Sequence, residues 1–319
     1  MQQQIIKGIQ NGDRRMAARA ISLIENEDVT RYSILSELFP LAGKAYVIGI
    51  TGAPGAGKSS LVDRLLVTLR KRGLTVGVIA VDPTSPFTGG AILGDRIRMQ
   101  EHALDKDIFI RSMGTRGSLG GLSRATKDAI QVLDAFGKDI VIVETVGVGQ
   151  SEVDIIKYAD TTLVVLTPAG GDSVQTIKAG IMEIADVFVV NKADLAGADR
   201  TVSEVSMMLD LGGTNRRWRP PIVRTITMDG TGTDEMYASI QQHREYLQES
   251  GQITKLREER ARRDVIDLVE YRIKSSVWGQ VSGSAEFEGL ISRIMARELD
   301  PYTAAVQILG SINLDNCSV

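Results

Sequence analysis

The chain has 319 residues, 43% of them hydrophobic and 24% charged, with 37 Lys and Arg against 40 Asp and Glu and a formal net charge of −3. That is enough apolar material for one large α/β domain with helical additions or for two small domains. The acidic balance excludes a broadly cationic nucleic-acid surface, which needs clustered Lys and Arg. The single cysteine, Cys317, excludes an intramolecular disulfide and suits a reducing cytoplasm. The start, MQQQIIKGIQNGD, has no apolar leader core, and no run approaches the ~18 apolar residues needed to span a bilayer, so the sequence predicts a cytoplasmic protein with no membrane contact.

Residues 1–44 read as an N-terminal helical extension. Asn11-Gly12-Asp13 interrupts the pattern and supplies a cap, Ala17, Ala20, Ile21 and Ile24 recur at helical spacing, and Pro40 and Gly43 close the segment. From Tyr46 the texture changes to short β-branched runs at 46–51, 75–82, 108–112, 139–146, 161–168, 187–192 and 221–227. Most are apolar on both faces, the pattern of parallel strands covered on each side, and helical stretches such as 58–72 and 124–136 lie between them. Strand, helix, strand in repetition predicts an α/β fold: an open, doubly wound, mostly parallel sheet over 45–232 with right-handed crossovers.

After about residue 233 the strands stop. Residues 234–248 and 254–277 read as long helices; the second carries an apolar stripe of Leu256, Val265, Leu268, Val269 and Ile273 opposite the charged run REERARRD (257–264). Two more helices fill 285–310, broken at Asp300-Pro301. Residues 233–319 are thus expected to form a C-terminal helical extension. These helices either pad the sheet or, because an apolar helical extension outside a complete nucleotide domain is a common dimerisation device, form a dimerisation arm, and the second reading leads.

The strongest motif is Gly52-Ala53-Pro54-Gly55-Ala56-Gly57-Lys58-Ser59, which fits G-x-x-x-x-G-K-[ST] in full and lies between a predicted strand and a predicted helix. Glycines let the backbone curl so that its N–H groups face phosphate oxygens at a helix N-terminus. Lys58 is positioned to neutralise the β- and γ-phosphates, Ser59 to ligate Mg²⁺, and Ser60 to extend the cradle. Downstream, Asn191-Lys192-Ala193-Asp194 closes the strand VFVVNK. A carboxylate at Asp194 accepts from guanine N1–H and the N2 amine together, whereas adenine presents an acceptor at N1 and leaves the charge unpaired. A backbone loop against the base is expected near Thr225–Met228, with Thr227 the candidate contact, although Ile226-Thr227-Met228 departs from the usual Ser-Ala-Lys type.

Between these motifs, Asp82 ends a strand ahead of the Gly/Pro/Ser/Thr-rich stretch that runs to Asp95. Such a loop beside a phosphate site reads as a switch ordered by Mg²⁺ and the γ-phosphate, with Asp82 and Asp95 the candidate carboxylates. A strand-end cap for Asp82 and a helix N-cap for Asp95 are the structural alternatives. Glu144 ends DIVIVETV where the acid of a nucleotide site belongs, with Glu in place of the more usual Asp. Its extra methylene favours action through a metal-bound water. Gly147 can bring its N–H close to a γ-phosphate because no Cβ intervenes. Gln150 and Glu152 follow, but Val148, directly after Gly147, cannot position water. Gln175 and Lys178 in AGGDSVQTIKAG lie three apart and share a face if helical, which by itself describes a surface helix.

Taken together, GAPGAGKS, VDPTSPFTGGAILGDRIRM (81–99), RSMGTRGSLGGL (111–122), ETVGVGQSE (144–152), NKAD and DPYTAA (300–305) resemble the methylmalonyl-CoA mutase-associated GTPases of the MeaB/ArgK type over nearly the whole chain. Gly114 and the 226–228 loop depart slightly from the pattern. The resemblance implies a P-loop GTPase sheet with helical extensions, a homodimer joined through the C-terminal one, GTP/GDP and Mg²⁺ as ligands, and an adenosylcobalamin-dependent acyl-CoA mutase as partner. It implies that GTP hydrolysis gates cofactor delivery and protects or rescues the mutase, and that the segment around Asp172–Lys178 is an additional switch. This raises Gln175 and Lys178 above a surface-helix reading. Slow intrinsic turnover is expected, with stimulation when a partner docks Lys178 or places Arg96 or Arg98.

Three rivals stand beside this reading. A nickel-insertion metallochaperone needs soft or imidazole ligands, which one Cys and the separated His102 and His243 do not supply. A P-loop small-molecule kinase would not need NKAD. A signal-recognition-type GTPase would want an RNA- or membrane-contacting module.

Overall fold

The structure, a computed structural model, describes residues 1–82, 102, 104–114, 124–145, 154–168, 183–211 and 217–311. It divides into two compact units, Met1–Gly251 and Gln252–Val319.

The first unit is built on seven strands: β1 (Tyr46–Gly52), β2 (Val76–Asp82), β3 (Ile108–Gly114), β4 (Ile140–Thr145), β5 (Thr161–Leu166), β6 (Val187–Asn191) and β7 (Ile222–Thr225). They form one sheet in the order β3-β2-β4-β1-β5-β6-β7, with all neighbouring strands parallel. β1, β4, β5 and β6 are buried along their whole length, which explains why these runs are apolar on both faces. The doubly wound expectation holds. The chain winds to one side of β1 through β2, β3 and β4, then crosses to β5 on the other, so the topological switch falls at the carboxyl end of β1.

Helices α1 (Gln2–Gln10), α2 (Arg14–Glu25) and α3 (Arg31–Leu38) form a layer of this same unit. Their Ile5, Ile9, Ile21 and Ile34 share one core with Phe109 and Met113 of β3 and with Val132 and Leu133 of α5 (Arg124–Ala135). Asp13 caps α2 by accepting from the Arg15 and Met16 N–H groups, so the predicted break at 11–13 is a capped helix start. Arg111 of β3 pairs with Glu25 of α2, fixing the layer to the sheet edge.

Helix α4 (Lys58–Lys71) follows β1 and α7 (Thr233–Glu249) follows β7, and these two helices pack together, whereas α6 (Ala198–Leu211) follows β6 and sets Val205 and Leu209 against Val164 and Phe188 of β5 and β6. Residues 233–249, expected within the C-terminal extension, belong to the first unit. Met236, Ile240, His243 and Leu247 form a buried face on α7, which packs on α4 and β7. The division falls after it, where Gly251 takes a φ of 67°.

The second unit contains α8 (Gln252–Val281), α9 (Ala285–Met295) and α10 (Pro301–Ser311). Ser284 caps α9 by accepting from the Phe287 N–H, and the Asp300 carboxylate accepts from the Tyr302 and Thr303 N–H groups at the start of α10. Along α8 the apolar stripe is open: Val265 is 63% and Val269 49% exposed. Among the described residues no helix is long and apolar enough to cross a membrane.

Candidate functional site

At the switch point β1 runs into a glycine turn and then into α4. Gly52 ends the strand with φ +142°, and a Cβ there would meet the Val165 carbonyl oxygen at 2.2 Å. Gly57, the residue before α4, has φ +88°, and its Cβ would lie 2.3 Å from the Asn191 side-chain nitrogen. No L side chain fits either place, so the two glycines set how closely the loop seats on β5 and β6. Residues 52–58 therefore curl over the carboxyl ends of the strands with the N-terminus of α4 directed at the space above them.

That space is a cavity of about 590 Å³, within the size range of small-molecule sites. Its floor is Pro54, Gly55, Gly57, Lys58, Ser59 and Ser60, one wall is Ala80, Val81, Glu144 and Thr145, and the other is Lys192, Asp194, Leu195 and Ile226–Met228. A phosphate-type loop and a guanine-type tetrapeptide more than 130 residues apart in sequence thus share one cavity.

Lys58, buried, donates from Nζ to the Gly52 carbonyl at 2.8 Å and the Ala53 carbonyl at 3.0 Å. The ammonium is thereby folded back along its own loop. The Ser59 hydroxyl donates to Glu144 Oε1 at 2.6 Å, and both residues are buried. A hydroxyl and a carboxylate held together at the cavity wall form a hard-oxygen donor pair, the chemistry that suits Mg²⁺. Thr145, next to Glu144, donates to Thr51 of β1 at 3.0 Å and locks the two strand ends together. Asp82 closes β2 opposite Gly114 of β3.

The tetrapeptide divides its labour. Asn191 is fully buried; it donates to the Ala56 carbonyl at 2.8 Å and accepts from the Thr225 hydroxyl at 3.1 Å, so it braces the loop against β7 and does not line the cavity. Lys192 adopts φ 56°, a costly conformation for a non-glycine, and donates to the Gly55 carbonyl at 3.0 Å. That backbone turn presents Asp194 to the cavity, where, among the described residues, its carboxylate accepts no hydrogen bond. The Ala193 N–H donates to the Thr225 carbonyl at 3.1 Å, tying the tetrapeptide to the end of β7. Thr227 lies on the cavity wall together with Ile226 and Met228 of the expected base loop, as does Leu195, which the sequence did not single out. Of the motif's smaller residues, Ala56 is buried beneath the loop.

Asp95, Gly147, Gln150, Glu152, Gln175, Lys178, Arg96, Arg98 and Cys317 lie outside the described residues, and the same holds for the side chain of Asp82. The two histidines serve elsewhere. His102 contacts Asp63 at 2.9 Å, and His243 sits beneath the sheet against Thr161.

Comparison with known proteins fixes the lineage. Residues 17–282 match the family model described as "Methylmalonyl Co-A mutase-associated GTPase MeaB". A Pyrococcus abyssi protein named as a GTPase is 52% identical over 97% of this chain and 96% of its own length. The Escherichia coli GTPase ArgK is 32% identical over 95% of this chain and 94% of its own. The crystal structure titled "LAO/AO transport system kinase" superposes with a TM-score of 0.72 at 26% identity, covering 97% of this chain and 96% of the other. With a complete phosphate loop at the switch point of a parallel sheet and a family match over most of its length, the chain belongs to the methylmalonyl-CoA mutase-associated GTPase family of MeaB and ArgK.

Proposed function

We propose that this GTPase is a chaperone of an adenosylcobalamin-dependent acyl-CoA mutase, methylmalonyl-CoA mutase or a close relative. It works as a cytoplasmic homodimer, and GTP hydrolysis gates cofactor delivery and protects or reactivates the mutase. The observation that carries the reading is the cavity joining Lys58 and Ser59 to Asp194 in a chain of a family named for its association with methylmalonyl-CoA mutase.

The loop amides and Lys58 bind the β- and γ-phosphates. Phosphate oxygens are charged acceptors and outcompete the neutral carbonyls that Lys58 now contacts. Ser59, with one or both of Asp82 and Asp95, would hold Mg²⁺, Glu144 would act through a metal-bound water, and the ion would supply charge neutralisation to the transferring phosphoryl group. Asp194 reads the guanine N1–H and N2 amine. Water attacks the γ-phosphoryl in line, giving GDP and inorganic phosphate. Lys58 and the amides stabilise the charge that develops, and the Gly147 N–H senses the γ-phosphate. The apolar stripe of α8 supplies the dimer contact.

The test is steady-state hydrolysis of GTP and ATP with and without Mg²⁺, then with a purified adenosylcobalamin-dependent acyl-CoA mutase added. Slow Mg²⁺-dependent GTP turnover that rises with the mutase is expected. Equal turnover of ATP would point to a kinase-like P-loop protein, and GTP turnover indifferent to every such mutase would remove the chaperone role. Lys178→Ala should abolish the stimulation and spare basal turnover; the reverse pattern would remove the switch assignment.

A further inference from the structure

The loop after β7 departs from the usual guanine-loop sequence, yet it is tightly organised. Ile226 N–H donates to the Thr231 carbonyl at 3.0 Å, Gly230 N–H to the Ile226 carbonyl at 2.9 Å, and Thr231 N–H to Asp229 Oδ1 at 2.9 Å. Those bonds use neither the Thr227 nor the Met228 carbonyl. Both are taken by one side chain from the phosphate-loop helix α4: Arg64 donates from Nε to Thr227 O at 2.7 Å and from a terminal nitrogen to Met228 O at 2.8 Å. Among the described residues, the N–H groups of Thr227 and Met228 find no acceptor, and both residues line the cavity.

A peptide unit is planar and trans, so its carbonyl and its N–H point in opposite directions. Fixing Thr227 O on the α4 side turns the Met228 N–H away from Arg64. A guanidinium is a rigid planar fork, and two adjacent carbonyls bound to it fix the loop in orientation as well as position. Guanine carries an acceptor at position 6 and adenine a donor, so a fixed N–H at that position accepts one base and repels the other.

We propose that Arg64 is the positioning residue of the base loop, holding Thr227 and Met228 so that a loop N–H reads guanine O6. The inference rests on the guanine reading of Asp194 made above. It also makes α4 a mechanical link, since the helix that bears Lys58 and Ser59 at its start holds the base loop six residues after Lys58.

The experiment compares nucleotide affinities of the full chain and its Arg64→Ala and Arg64→Lys variants for GDP, ADP, inosine diphosphate, which lacks the N2 amine, and 6-thio-GDP, whose sulfur is a weak acceptor. For the unaltered protein, tighter GDP than 6-thio-GDP binding is expected. Arg64→Ala should weaken GDP about tenfold and 6-thio-GDP little, collapsing that ratio while the GDP-to-inosine diphosphate ratio stays unchanged. Arg64→Lys, with one compact donor head, should fall between, and kcat at saturating GTP should change less than about twofold. A uniform loss across all four nucleotides, or no loss of GDP affinity in a variant that melts normally, would overturn the assignment, as would an unaltered protein blind to sulfur at position 6. If the unaltered protein fails to prefer GDP over ADP, the guanine reading itself fails, a separate outcome seen before any variant is made.

Discussion

Along the amino edge of the sheet an aspartate stands directly before β3, β4, β5 and β6, as Asp107, Asp139, Asp160 and Asp186, whereas along the carboxyl edge the chain turns on glycines, a lysine and a serine. The aspartates close the edge from within. Asp139 accepts from the Thr75 N–H at 2.7 Å, Asp160 from Val47 at 3.0 Å and Asp186 from Thr162 at 2.8 Å, each at the entry of a neighbouring strand. Asp134 takes the Gly43, Lys44 and Ala45 N–H groups ahead of β1. Beneath them Tyr46, Thr161 and His243 form a buried chain, with Tyr46 to Thr161 at 2.5 Å and Thr161 to His243 Nδ1 at 2.8 Å, under the ring of Trp218. At the carboxyl edge Lys58, Ser59 and Asp194 face a cavity instead. Buried polar groups that satisfy one another specify the fold, and those that converge on a cavity are available to a ligand.

The contrast breaks most visibly at Lys58. Lys58→Ala should cut kcat/KM for GTP by about a thousandfold while the melting temperature holds, since its present acceptors are loop carbonyls. The amino edge should answer to pH. Burial holds the His243 imidazole at about 4, below its ordinary 6.5, although the nearby Asp160 carboxylate pulls the other way. Between pH 6.5 and 4 the unfolded chain therefore takes up a proton that the folded chain refuses. This contribution to stability is complete above 6.5 and declines as pH falls through that window, by at most about 3 kcal/mol. Chemical denaturation across that range should show the decline, and His243→Gln should flatten it. A profile identical in the two proteins would remove His243 as the cause.

Asp194→Ala should lower the preference for GTP over ATP about thirtyfold, read in competition binding, with thermal stability near that of the parent. The smallest effect is expected for Asp160→Ala, which leaves the Val47 N–H without its acceptor and should cost about 1–2 kcal/mol of stability with KM for GTP unchanged. A change in KM there would mean that the two edges are coupled through β1.

Most strands and the helices after β7 could be read along the chain because their signals are local: β-branched runs, the cap at Asp13, the break at Asp300-Pro301. The unit boundary could not. α7 is polar enough in sequence to join the helices that follow it, and only its packing on α4 and β7 assigns it to the first unit. The motif residues were legible one by one, but not the turn of Asn191 into the interior, because its partners Ala56 and Thr225 come from distant segments. Arg64 and the strand-entry aspartates carried no signal, being ordinary helix and loop residues until the sheet assembles.

Glycine, lysine and serine at fixed spacing after an apolar strand determine a phosphate-type turn by themselves, since its geometry depends on backbone freedom within eight residues. What tertiary structure alone decided is the cavity: which loop faces Asp194, which arginine holds Thr227 and Met228, and which edge of the sheet is closed. Those depend on strand order, and strand order is set by how β1 packs between β4 and β5, contacts that no local pattern encodes.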